Sequence, residues 1–299
     1  MKAKICFIFF NSLGYLFLYM PHFLRLGIAK LIAFILCTLD KRRKKDLIAN
    51  LNFAYNNTLD EHTKQEIIKT NYLNLVYNTI LFFVLAVNSK QRILNMIDIE
   101  NPQIIQNLLD NDEYIVFVTA HYGNWEYATP AFSCYFNHKI TAVARMTKYQ
   151  IINKYLKFVR SRFNIEILDK KGAAIPLIKA LKKDRVVGIV TDQNTADNEG
   201  RLVEFFSKKV RHTPIASLLA IKYNAKIVHF FSYYSSDYKR LKIKILPPIE
   251  FQKTNNTEED IQNLTQIQST ILEQIIKENP KEWLWFHRKF KNQYEEIYR

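Results

Sequence analysis

One stretch restricts the fold more than any other. The apolar run Tyr114-Ile115-Val116-Phe117-Val118-Thr119-Ala120 leads straight into His121-Tyr122-Gly123-Asn124-Trp125-Glu126. A short run of β-branched and aromatic residues reads as a buried strand. Gly123 and Asn124 supply the backbone freedom that a tight strand-to-helix turn needs. Glu126 then falls in the first turn of a helix. His121 is expected at the carboxyl end of a strand, where open α/β sheets place their ligands. A neutral imidazole there can take a proton from a hydroxyl near neutral pH. A carboxylate behind it fixes the tautomer and stabilises the imidazolium. Glu126, folding back over the turn, is the expected carboxylate. The same spacing also suits an ordinary strand-end histidine followed by a first-turn helix acid.

Beyond this turn, strand and helix patterns alternate. Strands are expected at Ile140–Ala144, Ile165–Leu168, Arg185–Val190, Ile227–Tyr234 and Leu241–Leu246. Helices are expected at Lys148–Phe163, Ala173–Leu181, Ala216–Tyr223, Glu258–Ile276 and, shorter, around Trp283. Upstream, Thr58-Leu59-Asp60-Glu61 reads as a capping box that starts a long helix, and Asn101-Pro102 as a second helix start. The alternation predicts an α/β fold: one domain with a mixed, largely parallel central sheet flanked by helices.

The first 40 residues differ from the rest. Two apolar runs, Ile5–Met20 and Phe23–Leu39, are bracketed by Lys2 and Lys4 on one side and by Lys41-Arg42-Arg43-Lys44-Lys45 on the other. The first resembles the hydrophobic part of a signal peptide, but no small-residue cleavage site follows it. Each is short for a bilayer span. Basic residues at both outer ends keep those ends on the cytoplasmic side, so the pair is expected as a shallow hairpin or as helices lying on the inner leaflet. Buried helices of a soluble domain are the alternative. The expected division is a membrane-associating segment, 1–40, and a catalytic domain, 41–299.

Lys and Arg number 43 against 28 Asp and Glu, a formal charge of +15, which favours anionic partners. No nucleic-acid-binding signature is present, so an anionic lipid surface or an acidic carrier protein suits this charge better. Cys6, Cys37 and Cys134 are far apart and lack metal-ligand spacing; neither a disulfide framework, a metal site nor a cofactor is expected.

Further candidates lie at strand ends. Arg145 follows Ile140–Ala144, where a guanidinium binds phosphate or a developing oxyanion, or is simply solvated. Asp192, Gln193 and Asn194 follow the strand ending at Val190; they line a site, where they hydrogen-bond a sugar or support the His121 turn, or they make an Asx turn. Phe205 and Phe206 wall an acyl chain, or pack one in the core and one against a loop. Trp283, Trp285, His287 and Arg288 form an aromatic and basic cluster suited to a membrane interface or to a packed terminal helix.

The string His121-Tyr122-Gly123-Asn124-Trp125-Glu126 resembles the active-site block of the lipid A late acyltransferases, the lauroyl- and myristoyl-transferring enzymes within the wider glycerolipid acyltransferases. Thr191-Asp192-Gln193-Asn194, Phe205-Phe206, Thr213-Pro214 and Trp283-Leu284-Trp285-Phe286-His287-Arg288-Lys289-Phe290 extend the resemblance over most of the chain. Pro247-Pro248 resembles a further block, whereas His229-Phe230 stands where the family has a proline. The resemblance implies His121 and Glu126 as a catalytic dyad, with Arg145, Asp192, Gln193, Asn194, Phe205 and Phe206 at the substrates. It also implies acyl carrier protein as donor, a lipid A precursor as acceptor, and anionic lipids of the bacterial inner membrane as a surface, with the catalytic domain on its cytoplasmic face. Five cations near Arg145 (Lys148, Lys154, Lys157, Arg160 and Arg162) are the expected carrier dock. The alternatives are a glycerophosphate-type or other glycolipid O-acyltransferase, and a cationic peripheral lipid-binding protein without activity.

Overall fold

The computed structural model describes residues 2–184 and 186–299, so Arg185, the expected first residue of one strand, lies outside the described residues. The chain opens with two apolar helices, α1 (Lys2–Tyr19) and α2 (His22–Leu39), separated by a turn at Met20 and Pro21. The basic block is itself helical, α3 (Lys41–Ala54), capped by Asp40. Then comes the long α4 (Glu61–Val87). Its cap is Asp60, whose carboxylate accepts from Thr63 N at 2.8 Å. Thr58, the expected start of a capping box, turns its hydroxyl back to Tyr55 O instead. A short α5 (Lys90–Leu94), β1 (Ile97–Glu100) and α6 (Gln103–Asp110) follow. Asn101 does not cap α6: it lies in the left-handed region at φ 57°, and the helix is entered from Pro102.

The α/β core begins at β2 (Ile115–Thr119) and continues through α7 (Trp125–Phe136), β3 (Ile140–Ala144), α8 (Gln150–Ser161), β4 (Ile165–Asp169), α9 (Ala174–Asp184) and β5 (Val186–Val190). A hairpin of β6 (Arg201–Phe205) and β7 (Lys208–His212) is next. Then come α10 (Ile215–Tyr223), β8 (Lys226–Tyr234), β9 (Leu241–Ile245) and α11 (Thr257–Glu278). The expected helix around Trp283 is absent. That segment is a series of turns and bends around one antiparallel bridge between Tyr122 and Trp283, and the chain closes with a 3₁₀ turn at Glu295–Tyr298.

Among the described residues, the main sheet has seven strands in the order β1-β9-β8-β2-β5-β3-β4. β8, β2, β5, β3 and β4 are mutually parallel, while β9 and β1 run against them. This is the mixed, largely parallel sheet expected from the sequence. Its central strand β2 is buried along its whole length, as a parallel strand covered on both faces must be. Alternate residues serve opposite layers: Ile115 and Phe117 pack with α4 and α7, whereas Val116 and Val118 pack with α9, α10 and α11.

Both N-terminal helices pack on α4. A Cβ added to Gly14 would stand 2.4 Å from the carbonyl oxygen of Phe83, so α1 and α4 cross closely only because this residue is glycine. Arg25, within the second apolar run, is buried and donates to the Tyr77 hydroxyl and to Phe17 O. The opposite faces stay open: Phe9, Leu16 and Tyr19 of α1 and Phe23, Leu31, Phe34 and Leu39 of α2 are all more than half exposed. Among the described residues, two helices qualify as membrane spans by length and apolar composition, α2 and α4, and α4 is mostly buried within the protein.

Candidate active site

Strand order explains the site. β2 and β5 are parallel neighbours with Thr119 level with Val190, and Thr191 N extends the ladder to Thr119 O at 3.0 Å. Two residues beyond those strand ends stand His121 and Asp192. Sequence alone pairs His121 with Glu126; the structure pairs it with Asp192. Asp192 Oδ1 lies 2.8 Å from His121 Nδ1, and Asp192 Oδ2 accepts the His121 backbone N–H at 3.0 Å. The Trp283 indole N–H donates to Oδ2 at 2.9 Å. Glu126 sits in the first turn of α7, as expected, but its carboxylate is gripped by Arg160, through Nε at 3.1 Å and through a second guanidinium nitrogen at 2.5 Å.

The turn itself is fixed from below. Gly123 has φ +55°, and a Cβ there would fall 1.8 Å from Ser232 O, so no other residue fits. Asn124 caps α7 by accepting from Tyr127 N and donates to the Tyr234 hydroxyl at 2.9 Å. That hydroxyl donates to Asn78 Oδ1, and Asn78 Nδ2 returns to Gly123 O at 2.7 Å. From the other side, Gly123 N donates to Glu282 O and Leu284 N to His121 O, both at 2.9 Å. The His121 ring meets Trp125 edge to face, 4.7 Å between centroids.

The electrostatics follow. Burial alone pulls the proton affinity of His121 down, but the charge and hydrogen bond of Asp192 outweigh it. With a smaller contribution from Glu126, the pKa ends above the usual histidine value. Burial pushes the Asp192 carboxyl up, but His121 and the Trp283 N–H hold it well below the ordinary carboxylate range. An ionised Asp192 only accepts, so Nδ1 carries the proton and Nε2 keeps its lone pair. Gln193 Nε2 lies 3.2 Å from that lone pair and donates to it.

Asn194 turns away from the imidazole. Its N–H donates to His287 Nε2 at 2.9 Å, and burial lowers the His287 pKa to about 4, leaving that ring neutral as an acceptor. Lys289 is fully buried behind the loop. Its ammonium donates to Arg211 O at 3.2 Å and to Gln193 O at 3.4 Å, and burial draws its pKa down to about 8. His212 is buried nearby and held neutral by desolvation.

The aromatic blocks serve the site from inside. Phe205 and Phe206 are both buried; Phe205 packs edge to face on Trp283 and Phe206 on Trp285. They form the floor under Trp283 rather than an open wall. Trp283 and Trp285 are 1% and 0% exposed, so they are core residues and not interface anchors. Arg145 projects beyond β3, exposed, on a cavity of about 750 Å³ that Asn194, Leu284 and His287 also line. Sequence reasoning offered Asp192, Gln193 and Asn194 as support for the His121 turn but did not single out Asp192 as its carboxylate, and it missed the Trp283 bond, since both depend on which strands and segments become neighbours. The shared spacing of two residues past a strand end was the one available signal.

An ionised Asp192, a strand-end histidine whose unprotonated Nε2 meets only the Gln193 amide, and a polar strand-end loop can act as a general base. Comparison with known proteins gives the family. The family model described as "Bacterial lipid A biosynthesis acyltransferase" matches residues 3–292. The chain is 19% identical over 248 residues to the lipid A biosynthesis myristoyltransferase of Escherichia coli K12, covering 83% of this chain and 75% of the relative. It is 22% identical over 258 residues to the lipid A biosynthesis lauroyltransferase of the same organism, covering 86% and 82%. With nearly its whole length matched, the chain belongs to the bacterial lipid A biosynthesis acyltransferase family.

Proposed function

We propose that this protein moves a fatty acyl chain from the thioester of an acyl carrier protein to a hydroxyl of a lipid A precursor. The observation that carries this reading is the His121–Asp192 pair at the carboxyl edge of β2 and β5. His121 Nε2 takes the proton of the acceptor hydroxyl, and Asp192 steadies the imidazolium through Nδ1–H. The acceptor oxygen attacks the thioester carbonyl. A C–O bond forms, the C–S bond breaks, and the departing thiolate collects the proton that the imidazolium gives up. Gln193, which donates to Nε2 in the free protein, releases it to the substrate. Glu126 adds negative charge near the imidazolium, and Arg160 fixes its position. Arg145 is placed for the oxyanion or for a phosphate of the substrate.

The open apolar faces of α1 and α2 seat the protein on the cytoplasmic leaflet of the inner membrane, where a water-soluble donor meets a membrane-held acceptor. The carrier docks on α8 and the loop before it. Of the five cations expected there, Arg160 is committed to Glu126, and Arg162 donates to the carbonyls of Leu85, Ala86 and Asn88. Lys148, Lys154 and Lys157 remain exposed for the dock. The test is the rate of transfer by the purified full chain from an acyl-carrier thioester and from the same acyl-coenzyme A. A preference for the carrier that weakens steeply with salt, and weakens again after charge reversal of the three lysines, is expected. Equal use of both donors, indifferent to salt, would overturn the choice of donor.

A further inference from the structure

Five cations line the cavity of about 750 Å³ beside the active site, and the acyl-transfer reading uses only one of them, Arg145. Arg42, Arg43, Arg145, Arg288 and Lys291 line it, against only Asp40 and Asp46. The two carboxylates are each taken: Asp40 caps α3 and faces Arg43 at 3.8 Å, and Asp46 holds Arg288 at 2.8 Å. Arg42, Arg145 and Lys291 have no carboxylate partner among the described residues. The cavity therefore carries a surplus of three positive charges on side chains drawn from three distant parts of the chain.

Local structure makes this arrangement costly. Lys41, Arg42 and Arg43 occupy the first turn of α3, the end of a helix that favours negative charge, and no acidic residue lies in that turn. Positive charge kept where the helix itself disfavours it points to an external anion. The position narrows the choice. Arg42 stands three residues past Leu39, the exposed apolar end of α2, so the cavity's rim adjoins the apolar face proposed above to meet the bilayer. Its inner wall is Asn194, Leu284 and His287, which are bonded directly to the His121 turn and the Asp192 loop. A volume of this order suits a small-molecule headgroup and not a folded protein domain. Arginines are the side chains whose planar fork matches phosphate oxygens.

We propose that this cavity binds a phosphate ester on the sugar of the glycolipid acceptor, with Arg42 and Lys291 as its main contacts, so that the headgroup charge sets which hydroxyl faces His121. The proposal rests on the acyl-transfer reading for the identity of the lipid. Binding and turnover are measured separately, so the two can fail independently.

The experiment uses the full chain in detergent micelles and two probes, a phosphorylated lipid A precursor and the same lipid stripped of its phosphates. Wild-type protein should bind the phosphorylated lipid at least about tenfold more tightly. The double variant Arg42→Gln/Lys291→Gln should lose about tenfold or more on the phosphorylated lipid and nothing on the stripped one, whereas Arg42→Lys/Lys291→Arg should stay within about threefold of wild type. In the assay, the Gln variant should raise KM for the acceptor and leave KM for the carrier thioester unchanged. Equal binding of the two lipids, an equal loss on both, or a raised KM for the donor alone would overturn the proposal. So would a loss of inorganic phosphate binding in the Gln variant with lipid binding intact. Selective binding without any acyl transfer would keep the phosphate site and overturn the acyl-transfer reading.

Discussion

Asp192 holds His121 through both ring and backbone, and its replacement has a signed consequence. In the proposed mechanism the reactive form of His121 is neutral, and its folded-state pKa lies above the ordinary histidine value; activity should therefore be lost as pH falls through that raised pKa. Asp192→Asn removes the chief raising contact and leaves burial, which lowers the pKa. The acid limb of kcat/KM should move to lower pH, and the maximal rate should fall by about 10³-fold or more because the tautomer is no longer fixed. An acid limb that stays in place would show that Asp192 does not act on the imidazole. At this scale, His121 was legible from its place after an apolar run, and Gly123 from the turn it must make. Asp192 was visible as a polar residue at another strand end, with support of the His121 turn as one of its readings. Nothing in a linear sequence states that the strands ending at Thr119 and Val190 lie side by side, so the nearer carboxylate, Glu126, drew the assignment. Its partner Arg160 lies on α8, read from the sequence as one cation of a docking surface.

Among elements, the segment Glu282–Lys289 does most to hold the site. It bridges to Tyr122, bonds His121 and Gly123 through the backbone, and sends Trp283 to Asp192. At its start, the Glu282 carboxyl is buried against Asn74 of α4, which donates to it at 3.0 Å, and burial pushes its pKa up to about 8. A carboxyl that binds its proton more tightly when folded contributes stability that is present below the unfolded value and lost as pH rises towards 8. Glu282→Gln keeps the shape of the protonated acid. Between pH 5 and 8, wild-type stability should therefore fall relative to the variant, by up to about 1.4 kcal/mol per pH unit. Parallel denaturation curves for the two proteins across that range check it. The segment was expected as a helix because its aromatic and basic spacing allows one, and the bridging partner that draws it out of a helix, Tyr122, lies about 160 residues before Trp283. The β6–β7 hairpin was also hidden. Its two-residue turn places Phe206 and Ser207 at φ 52° and 57°, a conformation normally announced by Asn-Gly or Asp-Gly. By contrast β3, α10 and α11 follow their patterns within a residue or two, since their apolar periodicity matches the layers they face.

The whole molecule presents two surfaces of opposite character, an apolar face on α1 and α2 and a cationic rim beside the active site. Phe9, Leu16 and Phe34 are exposed at 57%, 55% and 70%, so replacing all three with Ser spares the core and removes only what a bilayer would cover. The triple variant should remain folded by circular dichroism and shift substantially from the membrane to the soluble fraction. Unchanged partitioning would contradict a membrane seat for this face. Leu18, by contrast, packs against the core and is unsuited to such a test. The chemistry itself is decided by a single-turnover assay in which purified wild-type and His121→Ala proteins are mixed with an acyl-carrier thioester and a lipid A precursor, and the lipid product is weighed by mass spectrometry. The expected result is one added acyl chain with wild type and a rate lower by about 10³-fold or more with His121→Ala, at unchanged fold and acceptor binding. Transfer by His121→Ala within about tenfold of wild type would contradict a base at His121 and the mechanism built on it.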